Sequence, residues 1–449
     1  MFKILFKKIT WGLAIYIAFF ANNVIYAEPE SCPVNNSPPL TLNKAIEIAL
    51  NQHPDILSSK FNVEAGEEGV AQVESRFLPQ VYGAAAGVGA RTNTREGAIG
   101  GINPPHIVRR MSFGVRVDQL ITDFGRTKNL SSAAQSAVEA RIARSFSIRD
   151  RVIFNVIQAY YNQLLAQEIL KVAYETFDVR NTLFEKIQLL YQEKLKAGFD
   201  VSIAKQSVDE AKLLILKAQN DLDDAQATLS QALGYGELKC FSLREKITIQ
   251  PYTSKLDPLL KIAKQFNPDL VTLRAAVSEK QYQYESAQAE HYPTISASGY
   301  AGLNPYRQKS VMNSSDATGG VTLDVPFYTG GRITADERQK FFEMKVAEND
   351  LIAKENLIVR NVRQAWNNVQ SSYQNINIVK ELFLNNVKAL ELAQASYEYG
   401  LISIVDLIQE QLRKTQAEIS FTTSRYDYLV NLALLNLLLG NGEGCEEHG

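Results

Sequence analysis

Two stretches of this chain run for about 70 residues without proline or glycine, from Arg126 to Gly198 and again from Arg332 to Gly400. Read as single helices, each is about 100 Å long, because a helix rises about 1.5 Å per residue. Helices in compact domains average about 11–12 residues, so rods of this length need a side-by-side partner throughout. The second rod places Ile358, Val362, Ala365, Val369, Ser372, Ile376, Val379, Phe383, Val387 and Leu390 at steps of three and four, the rhythm of a coiled-coil seam. The first keeps that rhythm with polar interruptions, through Val138, Ile142, Ser145, Val152, Val156, Tyr160, Tyr174 and Phe177. Ile153, Leu164, Trp366 and Tyr373 widen the stripe, which predicts neighbours on more than one side, as in a wall of helices.

The chain is written twice. Residues 40–81 and 255–295 both carry a short amphipathic run followed by His-Pro-Asp or Asn-Pro-Asp. Pro54 and Pro79 lie 25 positions apart, as do Pro268 and Pro293. The first of each pair fits the opening turn of a helix, where a missing N–H costs nothing, and the second lies just past its end. Asp118, Gly125 and Arg126 recur 206 positions later as Asp324, Gly331 and Arg332. Gly198 and Gly400 interrupt the two rods and predict helix-break turns. Each half therefore reads as short helix, medium helix, strand, loop, strand, very long helix, break and second long helix.

The segments 111–121 and 320–327 alternate. Met111, Phe113, Val115 and Val117 share one face, opposite Ser112, Gly114, Arg116 and Asp118; Val321, Leu323, Val325 and Phe327 oppose Thr322 and Asp324. Segments 80–90 and 294–302 alternate with smaller residues. In a transmembrane barrel such strands turn the apolar face to lipid and the polar face to water, which makes Arg116, Asp118, Thr322 and Asp324 the barrel-lumen candidates. Four strands close no useful pore, and lipid does not tolerate open sheet edges. Several copies must therefore share one barrel, and three copies give twelve strands. Segments 91–109 and 303–318, polar and rich in Gly, Asn and Pro, read as outer loops. Gly125–Arg126 and Gly331–Arg332 stand where strand becomes helix; each Arg there is placed to bond strand carbonyls or a neighbouring chain.

The N-terminus runs from Lys3, Lys7 and Lys8 through an apolar segment to Ala27, the order of a secretory signal peptide. A formal net charge of −2 gives no basic stripe for nucleic acid. Cys32, Cys240 and Cys445 show no metal spacing; one disulfide, Cys32–Cys240, and three separate thiols are both compatible with the sequence. His53, His106, His291 and His448 are scattered, with no nucleophile, metal or phosphate motif beside them. No enzyme and no cofactor are expected.

These elements resemble the TolC family of outer membrane efflux and type I secretion channels. The likeness rests on "LTLNKAIEIALNQHPDI", "RFLPQV", "VDQLITDFGR", "LDVPFYTGGR" and "YEYGLISIVDLIQEQ", in that order, and spans nearly the whole chain. It implies a mixed α+β membrane protein: a homotrimer with a 12-stranded β-barrel, four strands per protomer, in outer-membrane lipid. The barrel continues into a long α-helical coiled-coil barrel in the periplasm. It also implies a passive conduit that docks to a periplasmic adaptor (membrane fusion) protein and an inner-membrane pump or ABC exporter. A non-channel structural or adhesive coiled-coil protein of the envelope is the alternative.

In that family the tunnel narrows near the helix breaks. The positions implied here are Asp406, Tyr397, Gln409, Ile402 and Ala204, with Asp200 nearby but out of frame and Gly198 and Gly400 at the turns; the polar latch is not reproduced, because Ile402, Gln409 and Ala204 replace charged groups. A ring of three Asp406 carboxylates favours cations, and mutual repulsion is expected to raise their pKa. The expected organisation is signal peptide 1–27, extension 28–39, first repeat 40–235, linker 236–254, second repeat 255–440 and tail 441–449. The first repeat holds strands 80–91 and 111–121 and helices 126–197 and 199–233; the second holds strands 294–302 and 319–327 and helices 332–399 and 401–439.

Overall fold

The computed structural model describes residues 39–92, 106–244, 247–304 and 314–440. The expected signal peptide, the extension up to residue 38, the tail, Cys32, Cys445 and His448 lie outside the described residues.

The first repeat comprises α1 (Leu42–Gln52), α2 (Pro54–Glu74), a single 3-10 turn (Ser75–Phe77), β1 (Gln80–Thr92), β2 (His106–Thr122), α3 (Arg126–Gln192) and α4 (Gly198–Ala232). The second comprises α5 (Leu256–Phe266), α6 (Pro268–Ala289), β3 (Thr294–Asn304), β4 (Ser314–Asp324), α7 (Arg332–Glu398) and α8 (Ile404–Leu439). The rods α3 and α7 have 67 residues each. Ahead of the strands the copies are 214 positions apart, as Pro54 and Pro268 are; from the rods onward they are 206 apart, as Arg126 and Arg332 are.

The local causes also recur. Pro54 and Pro268 occupy the first helical position, where the helix has no use for an N–H. Just before them, His53 Nδ1 accepts from the Asp55 N–H at 3.2 Å, and Asn267 Oδ1 accepts from the Asp269 N–H at 3.1 Å. Each cap satisfies one orphan donor of the new helix.

The strands form one antiparallel sheet in the order β1-β2-β3-β4. β2 begins at His106, and β3 and β4 run into 303–318, which the sequence assigns to an outer loop. β4 stops at Asp324 rather than 327, close to Pro326, which has no N–H to give to a ladder. Across the sheet, Tyr82 faces Arg116, Arg116 faces Tyr300 and Tyr300 faces Thr318.

Below the sheet, α2, α3, α6 and α7 stand side by side, and α3/α4 and α7/α8 form two long hairpins joined by α3 against α8. One core gathers Val156, Tyr160, Leu229 and Leu233; a second gathers Leu270, Val362, Val369 and Leu435. Tyr160 Oη donates to the Leu40 carbonyl at 2.9 Å, and Trp366 Nε1 donates to the Ser254 carbonyl at 3.0 Å. Tyr160 and Trp366 are equivalent positions, as are Leu40 and Ser254, so one anchor is built twice with different rings. Ile142 and Tyr174, placed on the seam by the heptad rhythm, are exposed; an α-helix drifts about 20° per heptad from a 3.5 repeat, so one seam cannot stay buried along the rod. Cys240 is disulfide-bonded.

Candidate functional site

The strand-to-helix junctions are left-handed at Gly125 (φ 102°) and Gly331 (φ 84°), a conformation that strains any residue with a Cβ. Buried Asp123 accepts from the Thr127 N–H at 2.8 Å and from its hydroxyl at 2.5 Å, which caps the start of α3; the sequence reading did not single it out. Among the described residues, the side chains of Arg126 and Arg332 share one partner and reach no strand carbonyl. Both meet Glu290, at the end of α6: Arg126 Nη2 lies 2.6 Å from Oε1 and Arg332 Nη1 lies 3.3 Å from Oε2. The next residue, His291, lies 3.1 Å from Glu337. A cleft of about 400 Å³ beneath the junction is lined from all four wall helices, including Arg76, Arg126, Glu279, Glu290, Asp336 and Lys340.

A second polar link sits at the foot of α6. Asp269 accepts from Ser147 Oγ of the first repeat at 2.6 Å and pairs with Lys354 of its own repeat at 2.7 Å. Burial works to raise its carboxyl, but Lys354 and Ser147 together outweigh burial and hold it below the usual carboxylate range.

On the sheet, Arg116 Nε lies 2.9 Å from Asp118 and its guanidinium stands 5.2 Å from the Tyr82 ring. Val321 and Leu323 are exposed on the opposite face from Thr322 and Asp324.

At the other end of the rods, the left-handed residues are Lys194 (φ 59°) and Gly400 (φ 72°), which are equivalent positions. Gly198, expected as the first-half break, is instead the first residue of α4; the turn falls four residues earlier, in Glu193-Lys194-Leu195, where the lysine is the left-handed residue. Asp200 and Asp406 are also equivalent, each at the third position of its helix. Asp406 Oδ2 accepts from Ser403 Oγ at 2.7 Å and from the Ser403 N–H at 3.0 Å, and the Asp406 N–H returns a bond to Ser403 Oγ at 3.2 Å. This is a capping box. Asp200 receives only the Ala197 N–H, at 3.4 Å, since alanine has no side chain to complete the box. Asp406 is exposed, and the Ser403 hydroxyl and N–H lower its pKa within the chain, the opposite direction from that expected of three converging carboxylates.

Tyr397, Ala204 and Ile402 come together in an apolar cluster with Ile187, Ile404 and Leu407. The buried Tyr397 hydroxyl has no hydrogen-bond partner among the described residues, and Lys196 stands 4.7 Å over its ring. Gln409 is exposed. Among the described residues no group of three or more His, Cys, Asp or Glu could hold a metal, and no helix is long and apolar enough to cross a membrane.

A family model described as "Outer membrane efflux protein" matches residues 45–235 and 259–441. Outer membrane protein TolC of Vibrio cholerae serotype O1 is 25% identical over 402 residues, covering 87% of this chain and 89% of that protein. Among solved structures, the Campylobacter jejuni CmeC outer membrane channel superposes with a TM-score of 0.80 at 16% identity, covering 90% of this chain and 89% of that one. The outer membrane protein VceC of Vibrio cholerae gives 0.76 at 18% identity, covering 89% and 96%.

Proposed function

The chain belongs to the outer membrane efflux protein family, and from that premise we propose that three copies close one barrel-and-tunnel conduit across the outer membrane and periplasm. The observation that carries this reading is the sheet order. β2 and β3 pair within the chain, and β1 and β4 are left as edges. Val81, Phe113, Val115, Val321 and Leu323 are all exposed on one face, as a lipid-facing surface requires, and lipid does not tolerate unpaired strand edges. Pairing β4 of one copy with β1 of the next satisfies both. Twelve strands then close, and the polar face carrying Arg116, Asp118, Thr322 and Asp324 lines the lumen.

The chain is a passive conduit, not an enzyme. It takes cargo from an inner-membrane pump or ABC exporter through a periplasmic adaptor and releases it outside. Small molecules and unfolded proteins are the two cargo classes that this scaffold serves. The non-channel alternative gives the sheet and its two open edges no role. At the turn end, Asp406 and Gln409 are the candidates left exposed, and a ring of three Asp406 makes the narrowest charged point there. Tyr397, Ile402 and Ala204 support it from the apolar cluster behind, between the turns at Lys194 and Gly400.

Planar bilayers test the reading. Purified chain gives discrete conductance steps with a preference for cations, and Asp406→Asn lowers that preference. Absence of steps overturns the conduit, and unchanged selectivity in Asp406→Asn overturns the ring.

A further inference from the structure

The polar side of the sheet carries a row of planar groups to which the conduit reading gives no role. Side chains directly opposite each other in an antiparallel pair point to the same side. Tyr82, Arg116, Tyr300 and Thr318 face one another in turn across the four strands, so they form one row. Asp118, two positions from Arg116, shares that side. The neighbouring rows are small or polar, with Gln80 and Ser298 on one flank and Ala84, Gly114 and Gly302 on the other. Tyr300 lies across the last two. Gly114 and Gly302 face each other, and a Cβ at either would come within 2.6 Å of the Tyr300 ring carbons. Glycine weakens a strand and marks a place where another group comes close. Here the two bare backbones bed the ring against the wall, which keeps its far side open to the lumen. Tyr82 is 47% exposed, and the Arg116 side chain, between the two tyrosines in the row, is 57% exposed.

We propose that Tyr82, Arg116 and Tyr300 form a shallow site on the barrel wall for planar aromatic groups of passing cargo, present three times around the lumen. The three planar groups stand on adjacent strands and cover about 10 Å, two strand spacings, enough for a two-ring aromatic. Asp118 holds the guanidinium through Nε at 2.9 Å, and the Tyr82 ring lies 5.2 Å from it, so the cation is positioned before cargo arrives. Guanidinium groups and tyrosine rings both stack on aromatic faces. A ring that served the fold alone would pack among apolar side chains, and the opposite side of these strands offers Val81, Phe113, Val115 and Val321. Both tyrosines stand on the polar side instead. The site has to be weak, since a conduit must release what it binds. One aromatic contact lengthens residence by about two- to tenfold, which delays cargo without trapping it.

The inference rests on the closed-barrel reading above, and the experiment separates the two. Full-length chain is inserted into a planar bilayer, and a Gly-Ser peptide carrying three tryptophans is compared with the same peptide carrying three leucines. In the wild type, current blocks by the tryptophan peptide last about two- to tenfold longer. Tyr300→Leu brings the two peptides close to parity and Tyr300→Phe keeps them apart. Arg116→Lys, which keeps the charge and loses the planar face, also narrows the difference. Free indole in the bath shortens the tryptophan blocks, which extends the site from aromatic side chains to small aromatic molecules; blocks that indole leaves unchanged overturn the small-molecule source. Equal blocks for the two peptides in the wild type, or an undiminished difference in Tyr300→Leu or Arg116→Lys, overturn the site while wild-type conductance steps leave the conduit standing. Arg116→Lys decides the matter where Tyr300→Leu fails to insert. A wild type without steps overturns both.

Discussion

At the strand end of the rods, Arg126 and Arg332 from different repeats converge on one largely buried carboxylate, Glu290. At the turn end, Asp200 and Asp406 each bond only their own helix starts, and the repeats meet through the apolar contacts of Tyr397, Ala204 and Leu407, with one ion pair between solvent-exposed side chains, Lys186 and Glu398 at 3.2 Å, beside them. The chain is the same in both places, 67-residue rods with the same spacing, so the difference lies in what the ends must do. Directional, charge-assisted bonds fix geometry. Apolar contacts are non-directional and tolerate sliding of one hairpin past another. An end that joins a sheet needs the first, and an end that has to change its aperture needs the second.

The largest expected effect tests the fixed end. Glu290→Gln removes the charge that two guanidinium groups share, and the loss is about 2–3 kcal/mol, the scale of hydrogen bonds to charged groups. Thermal unfolding of the variant in detergent checks it. A change below about 0.5 kcal/mol, ordinary for a surface substitution, would break the contrast. Asp269, the other link between the repeats, gives a pH signature. Its folded pKa is depressed, so its contribution is complete above the unfolded aspartate value of about 3.9 and fades as pH falls through the lower folded value. Asp269→Asn flattens the acid limb of a stability-against-pH curve, and an unaltered limb in that variant would mean that the link to Ser147 and Lys354 does not hold the repeats together.

Smaller effects are expected at the turn end. Lys194→Gly relieves a left-handed lysine, and Gly400→Lys creates one at the equivalent position. The pair should shift stability in opposite directions by about 1 kcal/mol, read as hydrogen-exchange rates of the two turns. Equal rates in the wild type would show that the lysine is not strained.

What the sequence revealed and concealed follows the same division. The rods, the prolines that open α2 and α6, and the left-handed glycines at the junctions are each dictated by a residue's own backbone chemistry, and a reader of the sequence finds them at once. Glu290 was hidden because comparing the repeats pairs it with Arg76, so the position looks unconserved between halves although the mismatch is itself the signal. The sequence points to Gly198 for the first turn because glycine is the usual marker of a left-handed residue, and in the structure Lys194 takes that conformation instead. The strand residues at 106–109 and 314–318 read as loop in the sequence because they close segments rich in Gly, Asn and polar residues. In a barrel that content is compatible with a strand, since every other residue faces water.

The smallest expected effect is also the sharpest test of the contrast, because it exchanges one atom group between equivalent caps. Ser403 closes a reciprocal box with Asp406, while Ala197 gives Asp200 only a backbone donor at 3.4 Å. Ser403→Ala should cost about 1 kcal/mol locally and Ala197→Ser should gain about 0.5 kcal/mol, the range of N-cap exchanges. If these caps are private to their helices, the changes appear only in amide exchange of the first turns of α8 and α4, and the Arg126–Glu290–Arg332 end does not respond. Double variants with Glu290→Gln should then be additive, as independent sites are. Coupling above about 0.5 kcal/mol would mean that the turn end transmits strain along the full length of the rods, so that its aperture and the strand junction behave as one element rather than two.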